Sequence, residues 1–104
     1  MRFAMTVAAV LMLTAPAQTA EIEVRMAGSA YAPDNLAAKV GDVLRFHNDD
    51  AVGHNVFVAN RGFAVDLGKQ DPGTSAELPL GKPGRFEVEC VIHPRMGLIV
   101  EVSP

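Results

Sequence analysis

The sequence predicts an all-β protein, a Greek-key β-sandwich of about seven short strands in a single small domain. Short apolar stretches recur along the chain, and turn residues separate them about every 8–12 positions, a spacing typical of sandwiches. No stretch has the apolar spacing of a convincing amphipathic helix. No internal repeat or low-complexity tract interrupts this pattern.

The first twenty residues differ in composition from the rest of the chain. Arg2 is followed by an apolar run over residues 3–13 and then by small residues. This order is typical of a secretory signal peptide, and the run is too short to cross a hydrocarbon layer of about 30 Å as a helix. We therefore expect a signal peptide in residues 1–20, a mature domain in residues 21–104, a periplasmic location and no stable membrane insertion.

The cleavage site is expected between residues 17 and 20. Ala15-Pro16-Ala17 has the small-x-small form that precedes a cleavage point, so cleavage after Ala17 fits best. Cleavage after Ala20 is the alternative, and it would place Gln18 where a small residue is preferred.

The charge balance argues against nucleic acid as a partner. The chain has 9 basic and 12 acidic side chains and a formal net charge of −3. Arg2 is the only charged residue of the leader, so the mature domain is one unit more negative, at −4. A protein that binds nucleic acid needs a basic surface, whereas an acidic domain is compatible with a cationic protein partner.

Alternation of apolar and polar residues predicts where the strands lie. Residues 21–26 alternate strictly, which places Met26 inward as a core residue. Leu44 and Phe46 share one face of the next well-defined strand, so His47 lies on the opposite face and is predicted at the surface. The stretch from Tyr31 to Asn35 resembles a turn. The candidate strands are residues 21–26, 36–40, 43–48, 54–58, 63–67, 75–80, 85–90 and 98–102.

The turns between these strands are marked by glycine, proline and acidic residues. Pro79 places the strand of residues 75–80 at a sheet edge. Residues 68–73 are predicted to form a loop. Asp49 and Asp50 could form an acidic ligand pair, but a solvated turn is the simpler interpretation.

The single cysteine, Cys90, is the strongest functional signal. It cannot form an internal disulfide, which leaves an inert buried thiol, an intermolecular disulfide or a metal ligand. His93 and Met96 follow within the same seven residues and favour a metal ligand. His54, at the start of a predicted strand, is the best candidate for a fourth donor. Two histidines, one cysteine and a weak axial methionine form the ligand set of blue-copper electron-transfer sites.

Other chemistries fit these residues less well. Structural zinc prefers two or more cysteines, and catalytic zinc keeps harder ligands and a water molecule. A Cys–His nucleophile pair would need an orienting group and a substrate cleft, neither of which is evident. A catalytic copper site would need an open position, which Met96 argues against.

Residues 48–56 and 90–96 resemble the two ligand segments of the cupredoxins, the plastocyanin and amicyanin family of small blue-copper proteins. The Cys-x2-His-x2-Met spacing and the His93-Pro94 pair are similar to those of amicyanins. The chain also resembles plastocyanin-like methylamine utilisation proteins. The resemblance implies His54, Cys90 and His93 as strong copper ligands, Met96 as the axial ligand, and Asn55 as the residue that ties the two ligand segments together.

These observations predict an electron carrier rather than an enzyme. We expect one copper ion that cycles between Cu(I) and Cu(II), a monomeric protein, and a redox partner such as a periplasmic dehydrogenase or a c-type cytochrome. The ring edge of His93 is expected near the surface and His54 deeper, with the partner docking at Pro94, Val52 and Gly53. The alternative is periplasmic copper carriage or storage with the same ligands.

Overall fold

The computed structural model describes residues 2–9 and 19–104. The predicted cleavage residues Ala15-Pro16-Ala17 lie outside these ranges. Within the two ranges, no helix is long and apolar enough to span a membrane. The described residues form nine strands: β1 (Glu21–Ala27), β2 (Ala30–Ala32), β3 (Asn35–Lys39), β4 (Val43–Asn48), β5 (His54–Asn60), β6 (Phe63–Gln70), β7 (Ser75–Pro79), β8 (Gly84–Glu89) and β9 (Gly97–Ser103).

The strands form two sheets. One sheet has the order β2-β1-β4-β7 and the other the order β3-β9-β8-β5-β6. The pairs β1–β4 and β3–β9 are parallel, and neighbouring strands in the remaining pairs are antiparallel. The chain changes sheet repeatedly between β2 and β8, as Greek-key connections require. The prediction of a single-domain β-sandwich is confirmed, and β7, which contains Pro79, is an edge strand as expected.

Two differences from the predicted strands are local. The stretch predicted as a turn, from Tyr31 to Asn35, overlaps β2. This strand pairs with the end of β1 through a hairpin whose turn residues Gly28 and Ser29 have φ values of 58° and 53°. Positive φ at both positions is what a tight two-residue hairpin needs. A three-residue strand is too short to show an alternating pattern, which is why β2 is absent from the eight candidate strands and the structure has nine.

The second difference lies at the end of β6, which continues to Gln70 where a loop was predicted. Lys69 and Gln70 pair with Asn55 and His54 on β5. These polar residues have no strong strand preference of their own. Cross-strand pairing with β5 therefore determines their conformation, and this pairing also anchors the start of β5.

The core lies between the sheets. Leu44 and Phe46 from β4 and Val56 and Val58 from β5 are fully buried, and Met26 is a core residue, as predicted. Each such apolar side chain contributes about 1.5–3 kcal/mol when it leaves water. His47 lies outside this core and is half-buried, in contact with Asp49 and Ser75.

Asp42 joins the start of the domain to the turn between β3 and β4. Its two carboxylate oxygens accept separate hydrogen bonds, from the N–H of Ala20 and from the N–H of Lys39, each at 2.9 Å. The carbonyl of Ala20 in turn accepts a bond from the N–H of Val43 at 2.9 Å. The N–H groups of Ala20 and Lys39 hold the pKa of Asp42 below its usual value. The main chain of Ala20 is therefore part of the folded domain.

We predict that Asp42→Asn lowers the melting temperature by several degrees at neutral pH, because an amide can accept only one of the two bonds and turns its NH₂ toward the other donor. The pKa of Asp42 is depressed in the folded state, so its contribution is present above the unfolded pKa of about 3.9 and is lost as pH falls through the folded pKa. The difference between wild type and variant should thus shrink in acid. Thermal melts from pH 7 to pH 3 test this, with Glu101→Gln on the exposed side of β9 as the charge-matched control. Equal melting temperatures at pH 7 would contradict it.

Candidate metal centre

Three donor residues meet at one end of the sandwich. His54 opens β5, Cys90 directly follows β8, and His93 lies in the turn that leads to β9. Their donor atoms all lie within 4.8 Å of one another. The Nδ1 atoms of His54 and His93 are 3.2 Å apart, and the Cys90 Sγ is 3.9 Å from the first and 3.6 Å from the second.

The turn that follows β8 is closed by main-chain hydrogen bonds. The N–H of His93 donates to the carbonyl of Cys90 at 3.2 Å, and the N–H of Met96 donates to the carbonyl of His93 at 2.9 Å. The N–H of Cys90 then reaches the carbonyl of Met96 at 3.4 Å, which extends the β8–β9 pairing by one step. Met96 is buried at the end of this turn, with 1% of its surface exposed. The backbone therefore fixes the positions of Cys90, His93 and Met96 relative to one another.

The Cys90 sulfur lies in a buried pocket lined with hydrogen-bond donors. The main-chain N–H of Asn55 donates to the sulfur at 3.3 Å, and the side-chain oxygen of Asn55 lies 3.9 Å from it. Burial by itself raises the pKa of the thiol, but the N–H of Asn55, the two histidine rings and the N–H of Ile92 outweigh it and lower the pKa to about 6. The site thus favours the thiolate, the form that binds metals.

His54 is the deeper of the two histidines, as expected. Its side chain is fully buried, whereas His93 is half-buried. The Nε2 atom of His54 lies 2.7 Å from Oδ2 of Asp50. Burial lowers the pKa of His54, but contacts with Asp50 and Cys90 outweigh this and raise it. The N–H of Ser29 and the His54 ring hold the pKa of Asp50 down, at about 2.

The contacts that Asn48 and Asp50 make in the loop before His54 were not predicted, although residues 48–56 were expected to form a ligand segment. Asp50, interpreted as part of a solvated turn, instead contacts His54. Asn48 is fully buried, and its side-chain NH₂ donates to the carbonyls of Val52 and Gln70 at 2.9 and 3.0 Å. Its side-chain oxygen accepts the N–H of Asp50 at 2.9 Å. Acidic and amide residues are common in surface turns, so no sequence signal separates these two from ordinary turn residues.

Exposed apolar residues lie beside the half-buried His93 in its own turn and in the loop before His54. Val52, Val91 and Ile92 are 49%, 68% and 54% exposed, and Pro94 is also exposed. We call these four residues the apolar rim; Val91 and Ile92 are additions to the predicted docking residues. Gly53, also predicted at this surface, is half-buried because the aliphatic chain of Lys69 occupies the space that a Cβ there would need.

Comparison with known proteins identifies the family. No family-level sequence profile matches the chain. The methylamine utilization protein MauL of Methylorubrum extorquens is 32% identical over 89 residues, which cover 85% of this chain and 78% of that protein. The chain belongs to the amicyanin-like cupredoxins.

Solved structures agree with this assignment. A reduced Cu(I) amicyanin variant at pH 4 shares 32% identity with this cupredoxin at a TM-score of 0.72, over 79% of this chain and 81% of that one. A purple cupredoxin from Nitrosopumilus maritimus shares the fold at a TM-score of 0.70 and 23% identity, over 79% and 99% of the two chains. The predicted resemblance to cupredoxins and amicyanins is confirmed.

The donor set of this cupredoxin suits one copper ion. It combines one thiol of lowered pKa with two imidazoles, and the three donor atoms converge without a carboxylate among them. Soft thiolate and borderline imidazole donors together select copper, whereas structural zinc usually takes more than one cysteine. The buried Met96 lies in the same turn and offers a further soft donor.

We predict that the thiol of the copper-free cupredoxin titrates with a pKa of about 6, well below the ordinary value of about 8.5. His93→Ala should raise that pKa, since the ring of His93 is one of the contacts that lower it. Ultraviolet absorbance of the thiolate across the pH range measures both values, and Cys90→Ala supplies the blank. A wild-type thiol that titrates at its ordinary value would contradict the described environment of the sulfur.

Proposed function

We propose that this cupredoxin carries single electrons between redox proteins through one type 1 copper ion, with His54, Cys90 and His93 as strong ligands and Met96 as the weak axial ligand. The observation that supports this most directly is the convergence of the two ring nitrogens and the sulfur within 4.8 Å. Such a ligand set is that of blue-copper electron-transfer sites. A copper ion held there supplies a one-electron couple between Cu(I) and Cu(II).

The protein's own residues suit electron transfer because they hold the ligand set still. His54 is fully buried at the start of a paired strand, and hydrogen bonds close the turn that carries the other three residues. A ligand set that keeps its geometry needs little rearrangement when the charge of the ion changes. Asn55 supports the same rigidity by joining β5 to the Cys90 sulfur at 3.3 Å.

We propose an electron carrier and not an enzyme. A catalytic copper site keeps an open position for substrate, and here His54, Cys90 and Met96 are at least 98% buried. His93 is the ligand that reaches toward solvent, and Ile92 and Pro94 of the apolar rim line the same surface pocket. Electrons would therefore enter and leave through the His93 ring edge.

The apolar rim is the proposed docking surface. Exposed apolar patches beside a functional group are typical of protein contact sites. The partner would be a redox protein such as a periplasmic dehydrogenase or a c-type cytochrome. The name of the relative MauL, which refers to methylamine utilization, is consistent with a dehydrogenase. We propose that the cupredoxin itself is a monomer.

We further propose that the protein acts in the periplasm after removal of its leader. Cleavage after Ala17 would retain Ala20, whose N–H and carbonyl both bond within the domain. Cleavage after Ala20 would remove these bonds and leave one oxygen of Asp42 without its main-chain donor. The mass of the exported protein distinguishes the two sites.

The experiment that tests the function begins with Cu(II) added to the purified mature protein. The wild type should develop an intense visible band and a reversible one-electron wave in voltammetry. Cys90→Ala should lose the band and keep the fold, because the thiolate is the coloured donor of these sites. Met96→Leu should keep the band but raise the reduction potential, since a weak donor to Cu(II) is lost.

Two outcomes would contradict the proposal. An intense band that survives in Cys90→Ala would remove Cys90 from the ligand set. A wild-type protein that binds copper but releases it rapidly to a competing chelator, with no reversible wave, would support copper carriage instead.

The proposed docking surface leads to a separate prediction. Pro94→Glu should slow electron exchange with a redox partner about tenfold or more while the visible spectrum stays the same, because a charge in the apolar rim would be desolvated on docking. Val40→Glu is the matched control: Val40 is 41% exposed, and its N–H bonds to Ser103 at the far end of β9. Stopped-flow measurements against one partner protein give both rates. Equal slowing in the two variants would point to long-range charge repulsion and contradict docking at the rim.

A further inference from the structure

Asp50 is held by contacts of its side chain and of its main-chain N–H. A single carboxylate oxygen, Oδ2, lies 2.7 Å from Nε2 of His54 and accepts the N–H of Ser29 at 2.8 Å. The N–H of Asp50 donates to the buried side chain of Asn48 at 2.9 Å. The side chain of Asp50 is 21% exposed and that of its partner His54 is 0% exposed. These bonds fix the carboxylate against the ring.

The contact determines which face of the His54 ring is free. With a carboxylate at Nε2, the neutral ring keeps its proton on that nitrogen and presents the lone pair of Nδ1. Nδ1 is the atom that faces the Cys90 sulfur at 3.9 Å and the His93 ring at 3.2 Å. Of the described carboxylates, none lies within ion-pair distance of His93. The two histidines are therefore supported differently.

The neighbouring Asp49 shows that the contact is particular to residue 50. The carboxylate of Asp49 pairs with the guanidinium of Arg25 at 2.7 Å and with the ring of His47 at 3.1 Å. Its charge is thus balanced by cationic or hydrogen-bonding groups at the surface. The carboxylate of Asp50, in contrast, contacts the ring of His54.

We infer that Asp50 is a positioning residue for His54: through Nε2 it fixes the tautomer and the orientation of the ring, and its negative charge favours Cu(II) over Cu(I). The inference deepens the proposed function, because it rests on His54 as a copper ligand. It adds a determinant of the reduction potential that lies outside the ligand set. The bond to Ser29 also couples the β1–β2 hairpin to the metal centre.

Asp50→Asn separates the charge from the hydrogen bonds. One carboxylate oxygen accepts the bonds from His54 and Ser29, so the amide oxygen of asparagine can accept the same two while the charge is lost. Asp50→Ala removes the bonds as well. Asp49→Asn makes the same change in net charge one residue away, without contact to His54, and is the matched control.

The affinities for Cu(II) and for Cu(I) are each measured by competition with a chelator. Their ratio determines the reduction potential. Loss of a carboxylate behind a metal-binding histidine typically lowers affinity 10- to 100-fold. We expect Asp50→Asn to lower Cu(II) affinity about tenfold and Cu(I) affinity less, which corresponds to a rise in potential of up to about 59 mV. Asp50→Ala should lose more Cu(II) affinity than Asp50→Asn. The Cu(II) affinity of Asp49→Asn should remain within about threefold of the wild-type value. Equal losses of Cu(II) affinity in Asp49→Asn and Asp50→Asn, or no loss of affinity in either variant, would overturn the inference.

Nitrogen NMR of the Cu(I)-loaded protein tests the tautomer directly. The wild type and Asp50→Asn should carry the His54 ring proton on Nε2, in slow exchange with water, and Asp50→Ala should show faster exchange. A wild-type ring proton on Nδ1 would overturn the inference. Neither measurement uses a partner protein or a voltammetric wave, so a failure of the electron-carrier proposal would be seen separately, in the absence of reversible electron exchange.

Discussion

The hydrogen bond from the main-chain N–H of Asn55 to the Cys90 sulfur, at 3.3 Å, is the contact on which the metal centre depends. Strands β5 and β8 pair at Phe57↔Glu89 and Val58↔Val88, and this pairing ends at Phe57, two residues after Asn55. Regular pairing thus ends where the donors begin, and the sulfur accepts an N–H where a carbonyl would otherwise stand. Beyond the last β5–β8 pair, this bond joins the two ligand segments beside the three donor atoms.

Local pattern was sufficient to predict that His54, Cys90 and His93 lie together, but not which contacts surround them. Cys90, His93 and Met96 lie in one turn, so their proximity follows from spacing alone, and His54 could be added because copper sites need a further imidazole. Asn48 and Asp50 could not be predicted in this way. Their role depends on the pairing of Gln70 with His54 and on the position of the β1–β2 hairpin, and both are long-range consequences of the fold. The same holds for β2 and for the end of β6, which adopt strand structure because a neighbouring strand pairs with them.

The two histidines have different positions and different roles in the site. His54 is buried, paired across the sheet with Gln70 and held at Nε2 by Asp50, so it is part of the rigid scaffold. His93 is held by the backbone of a turn and reaches the surface among apolar side chains. A centre that exchanges electrons with other proteins needs both properties, since a ligand fixed on all sides would be too deep to reach and one at the surface alone would not keep its geometry.

The charges around the site suggest why a carboxylate is tolerated behind the buried histidine. With neutral imidazoles, the Cys90 thiolate and Asp50 together carry two negative charges, which balance a Cu(II) ion and leave one negative charge in excess beside Cu(I). Net charge in a region shielded from water is unfavourable, so this arrangement penalises the reduced state. The rest of the site acts in the opposite direction: donor hydrogen bonds to the sulfur withdraw charge from the thiolate, and a buried methionine is a donor that Cu(I) accepts readily. With the proposed ligand set, the potential of this cupredoxin depends on a balance between the loop before His54 and the turn after Cys90, two segments that the fold brings together although His54 and Cys90 are 36 positions apart in the sequence.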